Sequence, residues 1–437
     1  MNNSLRKNAV CNLAWFENPQ TRPSTMERAF VVLTLLFLTG GFIPLFQRER
    51  GLSFDPVQGN PFYQAVFAAI YLITYLLVLV QWRAALLMLL KEKAVLLLAG
   101  IALLSVVWSD APEVTLRQAM ALLGTTLFAV YFTLRYSLRQ QLQLLAWTLG
   151  ICAVFSLVFG LLIPDFGMPS GIHTAGWHGV FAHRNTLGRM MALSALLFAL
   201  LAMSARRHRW ILWATLIVSS VLVLLSRSAS AWVVLASIAL LLVVSNVLRW
   251  PHATAIPAAL FVLLAGGVAV SSIFMNLETV LGAVGRDTTL TGRTQLWGYV
   301  LDKIAERPWL GFGYGGFWLG WDASSAYVWA KTNWRPSFAH NGFLDLTLQI
   351  GLLGLVAFLV GLARGLLRAA ALIRSETCRE AFWPLLYILI FTIQYNLAES
   401  SILARNNIFW VLYVAGVLGV QTVRPNRPKA QAHFSLS

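Results

Sequence analysis

Charge is scarce in this chain, and negative charge is scarcest. Asp and Glu number 17 among 437 residues, and all charged residues together make up 11%. Soluble domains average about 25%. No Asp-x-Asp pair occurs, which removes the usual clamp for a divalent metal on a nucleotide-sugar. Cysteine is nearly absent too, with three residues: Cys11, Cys152 and Cys378. That excludes a disulfide framework. Strand-type alternation of apolar and polar residues is missing, which argues against a transmembrane barrel.

What fills the chain is apolar sequence. Hydrophobic residues make up 58%. Runs of about 20 apolar residues recur, each able to cross a hydrocarbon core about 30 Å thick. The expected fold is all-α and polytopic. About twelve spans are predicted, roughly at 28–46, 61–82, 94–108, 114–134, 142–162, 188–205, 209–225, 228–248, 254–274, 343–363, 381–397 and 403–420. The third is short and could pair with the apolar run 84–90. The first apolar run follows a polar segment without a small-residue cleavage site, so it reads as a retained helix rather than a signal peptide. The expected division is a tail over 1–27, a membrane domain over 28–423 and a polar tail over 424–437.

The net charge of +16 invites a nucleic-acid partner, but its distribution excludes one. With an even number of spans, both termini share one side. Most of the basic residues then fall in short segments on that side, the positive-inside pattern of a cytoplasmic face. Cys11 and Cys378 fall on the same side and Cys152 inside a span, so the far side must hold its shape by packing.

One hydrophilic stretch, 275–342, interrupts the apolar pattern on the far, extracytoplasmic side. Long loops in compact proteins are usually functional or disordered, and its tryptophans argue against disorder. It holds six basic residues, Arg286, Arg293, Lys303, Arg307, Lys331 and Arg335. Gly298–Arg307 predicts an amphipathic helix, with Leu296, Val300 and Ile304 on one face. Thr291 is its candidate N-cap and Pro308 its stop. The glycine-rich run 311–316 follows a helix rather than a strand, which argues against a nucleotide loop.

Arg227, in Ser226-Arg227-Ser228 between two spans, must lie at the far membrane surface. A snorkelling arginine is the plain reading; an anion site is the sharper one, because guanidinium binds phosphate bidentately. Arg293 opens the loop helix, where its charge and the helix N-terminus both favour an anion; a surface ion pair with Asp287 or another acid is the alternative. His340 lies just before the tenth span, and an imidazole exchanges protons near neutral pH. His183, Arg184 and Asn185 form another polar cluster facing the same side. His173, His178 and His183 recur every five residues, a spacing that does not stack ligands on one helical face, so no metal site is expected. The loop tryptophans, Trp297 among them, read either as an interfacial belt or as a platform for sugar rings.

These segments together resemble the O-antigen ligase family, which also includes exopolysaccharide polymerases. The matching pieces are Phe181-Ala182-His183-Arg184-Asn185-Thr186-Leu187-Gly188, Ser226-Arg227-Ser228 and Thr291-Gly292-Arg293-Thr294-Gln295-Leu296-Trp297. Pro308-Trp309-Leu310-Gly311-Phe312-Gly313 and Ala339-His340-Asn341-Gly342-Phe343-Leu344 complete the set. The resemblance covers about 170–360; the first 160 residues match in hydropathy alone.

The resemblance implies a twelve-helix, GT-C-like bacterial inner-membrane enzyme with both termini cytoplasmic and a periplasmic active site. It implies inverting, metal-independent transfer of a glycan from undecaprenyl pyrophosphate to an acceptor hydroxyl, with no cofactor. Arg227 and Arg293 would bind the donor pyrophosphate and His340 would activate the acceptor. His183, Arg184, Glu399, Trp297 and Asn341 are second-rank candidates. The expected partners are a polyprenyl-linked glycan donor, a lipid A–core or glycan acceptor, and the bilayer. Ligation to lipid A–core is the leading expectation and polymerisation of lipid-linked repeats the runner-up. A transporter of lipid-linked sugars is a third class. It is disfavoured because the halves do not mirror each other and polar clusters gather on one side.

Overall fold

A computed structural model of the protein describes residues 23–42, 61–163, 176–205, 209–247, 291–332, 334–374 and 379–422. These residues form α1 (Thr25–Leu38), α2 (Pro61–Leu79), α3 (Trp82–Lys91), α4 (Lys93–Leu104), α5 (Pro112–Arg135), α6 (Leu138–Leu162) and α7 (Arg184–Ser204). They continue as α8 (Arg209–Leu225), α9 (Ala229–Val247), α10 (Thr291–Glu306), α11 (Ala326–Lys331), α12 (Gly342–Arg374), α13 (Arg379–Asn396) and α14 (Ile408–Thr422). No strand occurs among the described residues. Five helices, α2, α5, α6, α7 and α12, are long and apolar enough to cross a membrane. Shorter apolar helices lie over 93–107, 209–225, 229–240, 385–396 and 408–421. The predicted span 254–274 and the loop start over 275–290 lie outside the described residues.

Helix starts follow local capping chemistry. Ser24 and Ser137 each form a capping box, with Glu27 and Gln140 returning to the cap backbone, so donors that would face a terminus unpaired are satisfied. α7 lies at the centre, packed against α6, α8, α9 and α13, and buries nearly every residue from Leu187 to Ala202. α2 shows the opposite pattern. It buries Phe67, Ile70, Thr74 and Val78 and leaves Leu72, Leu76 and Leu79 outward, an apolar perimeter suited to lipid. The protein is a helical membrane protein.

Several boundaries depart from the hydropathy reading. The run 84–90 belongs to its own helix, α3, separated from α4 at Glu92. α7 starts at Arg184 rather than 188, because polar residues form its first turn. α12 extends to Arg374 and is broken at Ile350 and Gly351, where Gly351 takes φ 70°. α14 starts at Ile408 rather than 403, which moves Arg405 out of a span and into a loop. In the long loop, α10 is described from Thr291, and Arg293 sits in its first turn. The predicted face is observed: Leu296 and Val300 are fully buried and Ile304 packs beside them.

The break in α12 is where the long loop docks. The Phe312 amide donates to the Leu348 carbonyl at 2.9 Å, and the Leu352 amide to the Pro308 carbonyl at 2.8 Å. A Cβ on Gly351 would sit 2.0 Å from the Trp309 carbonyl oxygen. The glycine-rich run 311–316 is therefore a close-approach segment; Gly313 and Gly315 press on Ser109 and Gln118. Phe312, Phe317, Val328, Ala339 and Leu348 join the α10 face in a separate apolar core. Packing thus holds the loop without a disulfide. Arg307 Nη1 lies 2.7 Å from Asp110 Oδ1, and Tyr314 donates its amide to Ser105 Oγ at 2.9 Å, which ties the loop to the α4–α5 connection.

These contacts define one end of the bundle, formed by the connections 105–111, 226–228 and 397–407 and the loop. The opposite end holds the start of α1 and the end of α14. There Glu27 pairs with Arg135 at 2.6 Å and Gln421 donates to Glu92 at 3.0 Å. Both outermost described helices thus present their outer ends to the same side, away from the loop.

Candidate functional site

The site gathers around Glu399, in the connection between α13 and α14. Its Oε1 lies 3.5 Å from Arg293 Nη2, and its Oε2 lies 3.4 Å from His340 Nδ1. Asn185 Nδ2 donates to Oε1 at 3.2 Å. Arg293 Nη1 also donates to the Ala398 carbonyl at 2.9 Å. The Glu399 side chain is 7% exposed. Burial alone would raise its pKa, but His340, Arg293 and Arg189 together hold it below the ordinary glutamate value. A carboxylate in this position stays ionised and orients both neighbours, Arg293 and His340.

His340 is presented by a clamped backbone. Its φ is 51°, a conformation that costs a non-glycine residue about 1–2 kcal/mol. The preceding Ala339 is gripped on both sides: its amide donates to Asp345 Oδ2 at 2.9 Å, and its carbonyl accepts from Trp297 Nε1 at 2.9 Å. Trp318 Nε1 holds the other Asp345 oxygen at 2.8 Å. Asn341 caps α12, its Oδ1 accepting from the Phe343 and Leu344 amides at 3.0 and 3.2 Å. Trp297 and Asn341 therefore position His340. Phe338 and Trp334 flank the imidazole, with ring centroids 4.2 and 5.5 Å away.

The connection carrying Glu399 is braced by Asn396, whose Oδ1 accepts from the Ser401 and Ile402 amides at 2.7 and 3.1 Å. A Cβ on Gly342 would sit 2.2 Å from that oxygen. Gly342→Ala is expected to displace Asn396 and destabilise the fold by about 1–3 kcal/mol, the usual range for overpacking. The measurement is the melting temperature of the purified variant, and an unchanged value would remove Gly342 from this account.

Arg227, His183 and Arg184 form a neighbouring cluster. Arg227 sits exposed in the α8–α9 turn with φ 49°. No hydrogen bond or ion pair joins its guanidinium to Arg293, His340 or Glu399 among the described residues. The turn packs against the start of α7: a Cβ on Gly188 would meet Ser226 Oγ at 2.9 Å and Ser228 Cβ at 3.1 Å. One on Gly176 would meet the Ser226 carbonyl at 2.5 Å and Arg184 Cδ at 3.2 Å. The start of α7 therefore touches both clusters, Asn185 reaching Glu399 and Gly188 packing on the turn. His183 is the exposed residue ahead of α7. Burial lowers the His178 pKa, and its Nδ1 is buried without a hydrogen bond among the described residues; His173 and Asp287 lie outside them.

The other loop cations divide differently from Arg293. Lys303 pairs with Glu306 at 2.8 Å, Arg307 pairs with Asp110 and stacks over Phe312, and Lys331 stacks over Tyr327. These hold the loop together. The tryptophans divide likewise. Trp297, Trp318 and Trp329 donate inward to Ala339, Asp345 and Pro336. Trp309, Trp321 and Trp334 stay outward.

Arg189 was not legible as a site residue, because it lies inside a predicted span. Its guanidinium stacks over Tyr395 and Phe409, at 5.0 and 5.2 Å, and its charge acts on Glu399. Its position one turn after Asn185, on the same face of α7, was the available signal.

The described protein is thus a helical membrane protein with an arginine–glutamate–histidine cluster at one end of its bundle. Residues 214–359 match the family described as O-Antigen ligase, and that stretch contains Arg227, Arg293 and His340. The chain is 28% identical over 269 residues to the "Exopolysaccharide production protein ExoQ" of Rhizobium meliloti, covering 58% of this chain and 60% of that protein. It is 29% identical over 139 residues to the "Putative polysaccharide ligase" of Rickettsia felis, covering 29% and 31%. The chain spans less than two thirds of the length of either relative.

Proposed function

We propose that the protein is an inverting glycosyltransferase that moves a glycan from undecaprenyl pyrophosphate to an acceptor hydroxyl on the periplasmic face of the inner membrane. The observation that carries this reading is Glu399 bridging Arg293 and His340 within one buried cluster, next to the turn bearing Arg227. Arg293 and Arg227 hold the pyrophosphate and stabilise the charge that develops as it leaves. His340, turned toward Glu399 through Nδ1, takes the proton of the attacking hydroxyl at its other ring nitrogen. The C–O bond to the new acceptor forms as the anomeric C–O bond to pyrophosphate breaks, and the electron pair leaves with the phosphate. Trp334, exposed beside His340, offers its face to a sugar ring.

Ligation to lipid A–core is the version favoured by the family description. Polymerisation of lipid-linked repeats is the second reading, favoured by the similarity to an exopolysaccharide production protein. The test is transfer by purified protein given a polyprenyl-linked glycan with either lipid A–core or a second lipid-linked repeat. Product with the first acceptor supports ligation, product with the second supports polymerisation, and no product with either overturns the transferase reading.

Arg227→Ala is expected to weaken donor binding about tenfold or more, the value of a charge-assisted hydrogen bond of about 1.5–3 kcal/mol. The donor KM measures it, and an unchanged value would leave Arg227 as a snorkelling surface residue.

A further inference from the structure

The proposed transfer uses one buried carboxyl, Glu399, and leaves a second unused. Asp345 is 4% exposed, and no ion pair joins it to a cation among the described residues. A buried acid without a counter-charge is expensive unless its oxygens are well bonded. Its place in the first turn of α12 is that of an ordinary acid serving the helix dipole, but its hydrogen bonds point elsewhere. Asn341 Oδ1 takes the Phe343 and Leu344 amides that open the helix. Both Asp345 oxygens reach across to the loop instead. Oδ2 accepts from the Ala339 amide at 2.9 Å and Oδ1 from Trp318 Nε1 at 2.8 Å.

The helix segment that carries Asp345 is fixed at both ends. Asn341 caps its start, and the break at Ile350 and Gly351 closes it soon after. Gln349, one turn beyond Asp345 on the same face, accepts the Gly315 amide at 3.0 Å. Leu346 packs into the main core and Leu348 into the loop core. Asp345 is therefore presented from a short wedge set between the two cores. What it holds is the residue before His340. The left-handed backbone of His340 is strained, and such strain persists only where the surroundings over-determine it. His340 Nδ1 is buried, and its 3.4 Å separation from Glu399 Oε2 is longer than an ordinary hydrogen bond. A small shift of the turn would part the two. A misplacement of about 1 Å can slow a reaction about 10²-fold.

We infer that Asp345 is a positioning residue for the transfer, locking the Ala339–His340 turn so that the imidazole stays against Glu399. A carboxyl suits this task because it offers two acceptor oxygens in one plane. One oxygen takes the amide of the turn. The other takes Trp318, which fixes the orientation of the carboxyl itself. Asparagine offers a single acceptor oxygen, and its amide group would confront either the Ala339 N–H or the Trp318 N–H. Arg293 is held elsewhere, by the Ala398 carbonyl and Glu399. Loss of the Asp345 carboxyl should therefore act on the chemical step and spare donor binding.

This inference rests on the transferase reading for the role of His340, and its test separates the two. Full-length wild type, Asp345→Ala, Asp345→Asn and Asp345→Asn/Trp318→Phe are purified in detergent. Transfer kinetics and melting temperature are measured, together with carbethoxylation of His340 by diethyl pyrocarbonate, read by mass spectrometry. Asp345→Ala and Asp345→Asn should lower kcat about ten- to hundredfold with the donor KM unchanged, the effect of losing one charge-assisted hydrogen bond. His340 should be carbethoxylated faster in both, because the freed turn exposes the imidazole. The double variant leaves the amide oxygen free for Ala339. Its kcat and carbethoxylation rate should return toward wild type while its melting temperature stays low, a split that a merely structural acid would not give. Asp345→Asn keeps the size of the side chain, so the comparison holds even where Asp345→Ala fails to fold. If kcat and melting temperature fall together and the double variant recovers neither, Asp345 is structural and the inference is overturned. Wild-type kcat and carbethoxylation in the single variants would overturn it as well. If no glycan moves in any sample, wild type included, but carbethoxylation rises in Asp345→Asn and falls back in the double variant, the positioning role stands and the transferase reading fails.

Discussion

Alanine in place of His340 is expected to slow glycan transfer by about 10²–10⁴-fold, the range for loss of a general base, with little change in donor affinity. The separation follows from geometry. His340 touches Glu399 through Nδ1 and sits between Phe338 and Trp334, whereas in the proposed reaction it is Arg293 that meets the donor's charge. Steady-state kinetics on purified protein should show a collapse of kcat with a near-constant donor KM. Arg293→Ala should instead raise the donor KM and lower kcat together, since it loses both ground-state binding and leaving-group stabilisation. A His340→Ala variant with normal kcat would remove His340 from the chemistry and leave the Glu399 cluster as a structural ion pair.

The second large effect is at Glu399. Glu399→Gln should destabilise the protein by about 3–5 kcal/mol, because removing one partner of a buried ion pair leaves Arg293 without its counter-charge. The readout is unfolding in detergent, with Arg293→Met/Glu399→Leu as the companion variant. If the pair acts as described, the double replacement recovers much of the stability lost by the single one. The pH dependence has a definite sign. The Glu399 carboxyl titrates below its ordinary 4.5. Its contribution is therefore present above that value and is lost as pH falls through the lower, folded-state value. Wild type should lose its advantage over Glu399→Gln in acid. An advantage that persisted unchanged well below pH 4 would contradict the ionised assignment.

Local features were legible where they depend on near neighbours. The α10 face repeats every turn, so Leu296, Val300 and Ile304 could be read directly from their spacing, and Pro308 marked its end. Arg293 and His340 stood out because each sits in a motif that resembles the family's, at the two ends of the long loop. The carboxylate that joins them could not be found this way. Glu399 lies 106 residues from Arg293 and 59 from His340, and no periodicity links positions that far apart. Its own signal was only that an acid interrupts a region poor in acids. Arg189 and Arg405 were hidden for another reason. A window average dominated by apolar neighbours absorbs one arginine, so hydropathy placed both inside spans. The structure instead places Arg189 over Tyr395 and Phe409 with its charge acting on Glu399, and Arg405 in the braced loop before α14.

By itself, the sequence determined that this protein is helical, embedded in a membrane and equipped with a long polar loop that packs without disulfides. Composition and local periodicity suffice for that, because hydrophobic burial and backbone pairing act residue by residue or turn by turn. The tertiary structure alone decided which cations share an acid and which tryptophans face inward. Those are distances between helices, set by how α7, α10, α12 and the connection before α14 meet at one end of the bundle. A charge changes its meaning there according to the partner that packing brings within a few ångströms.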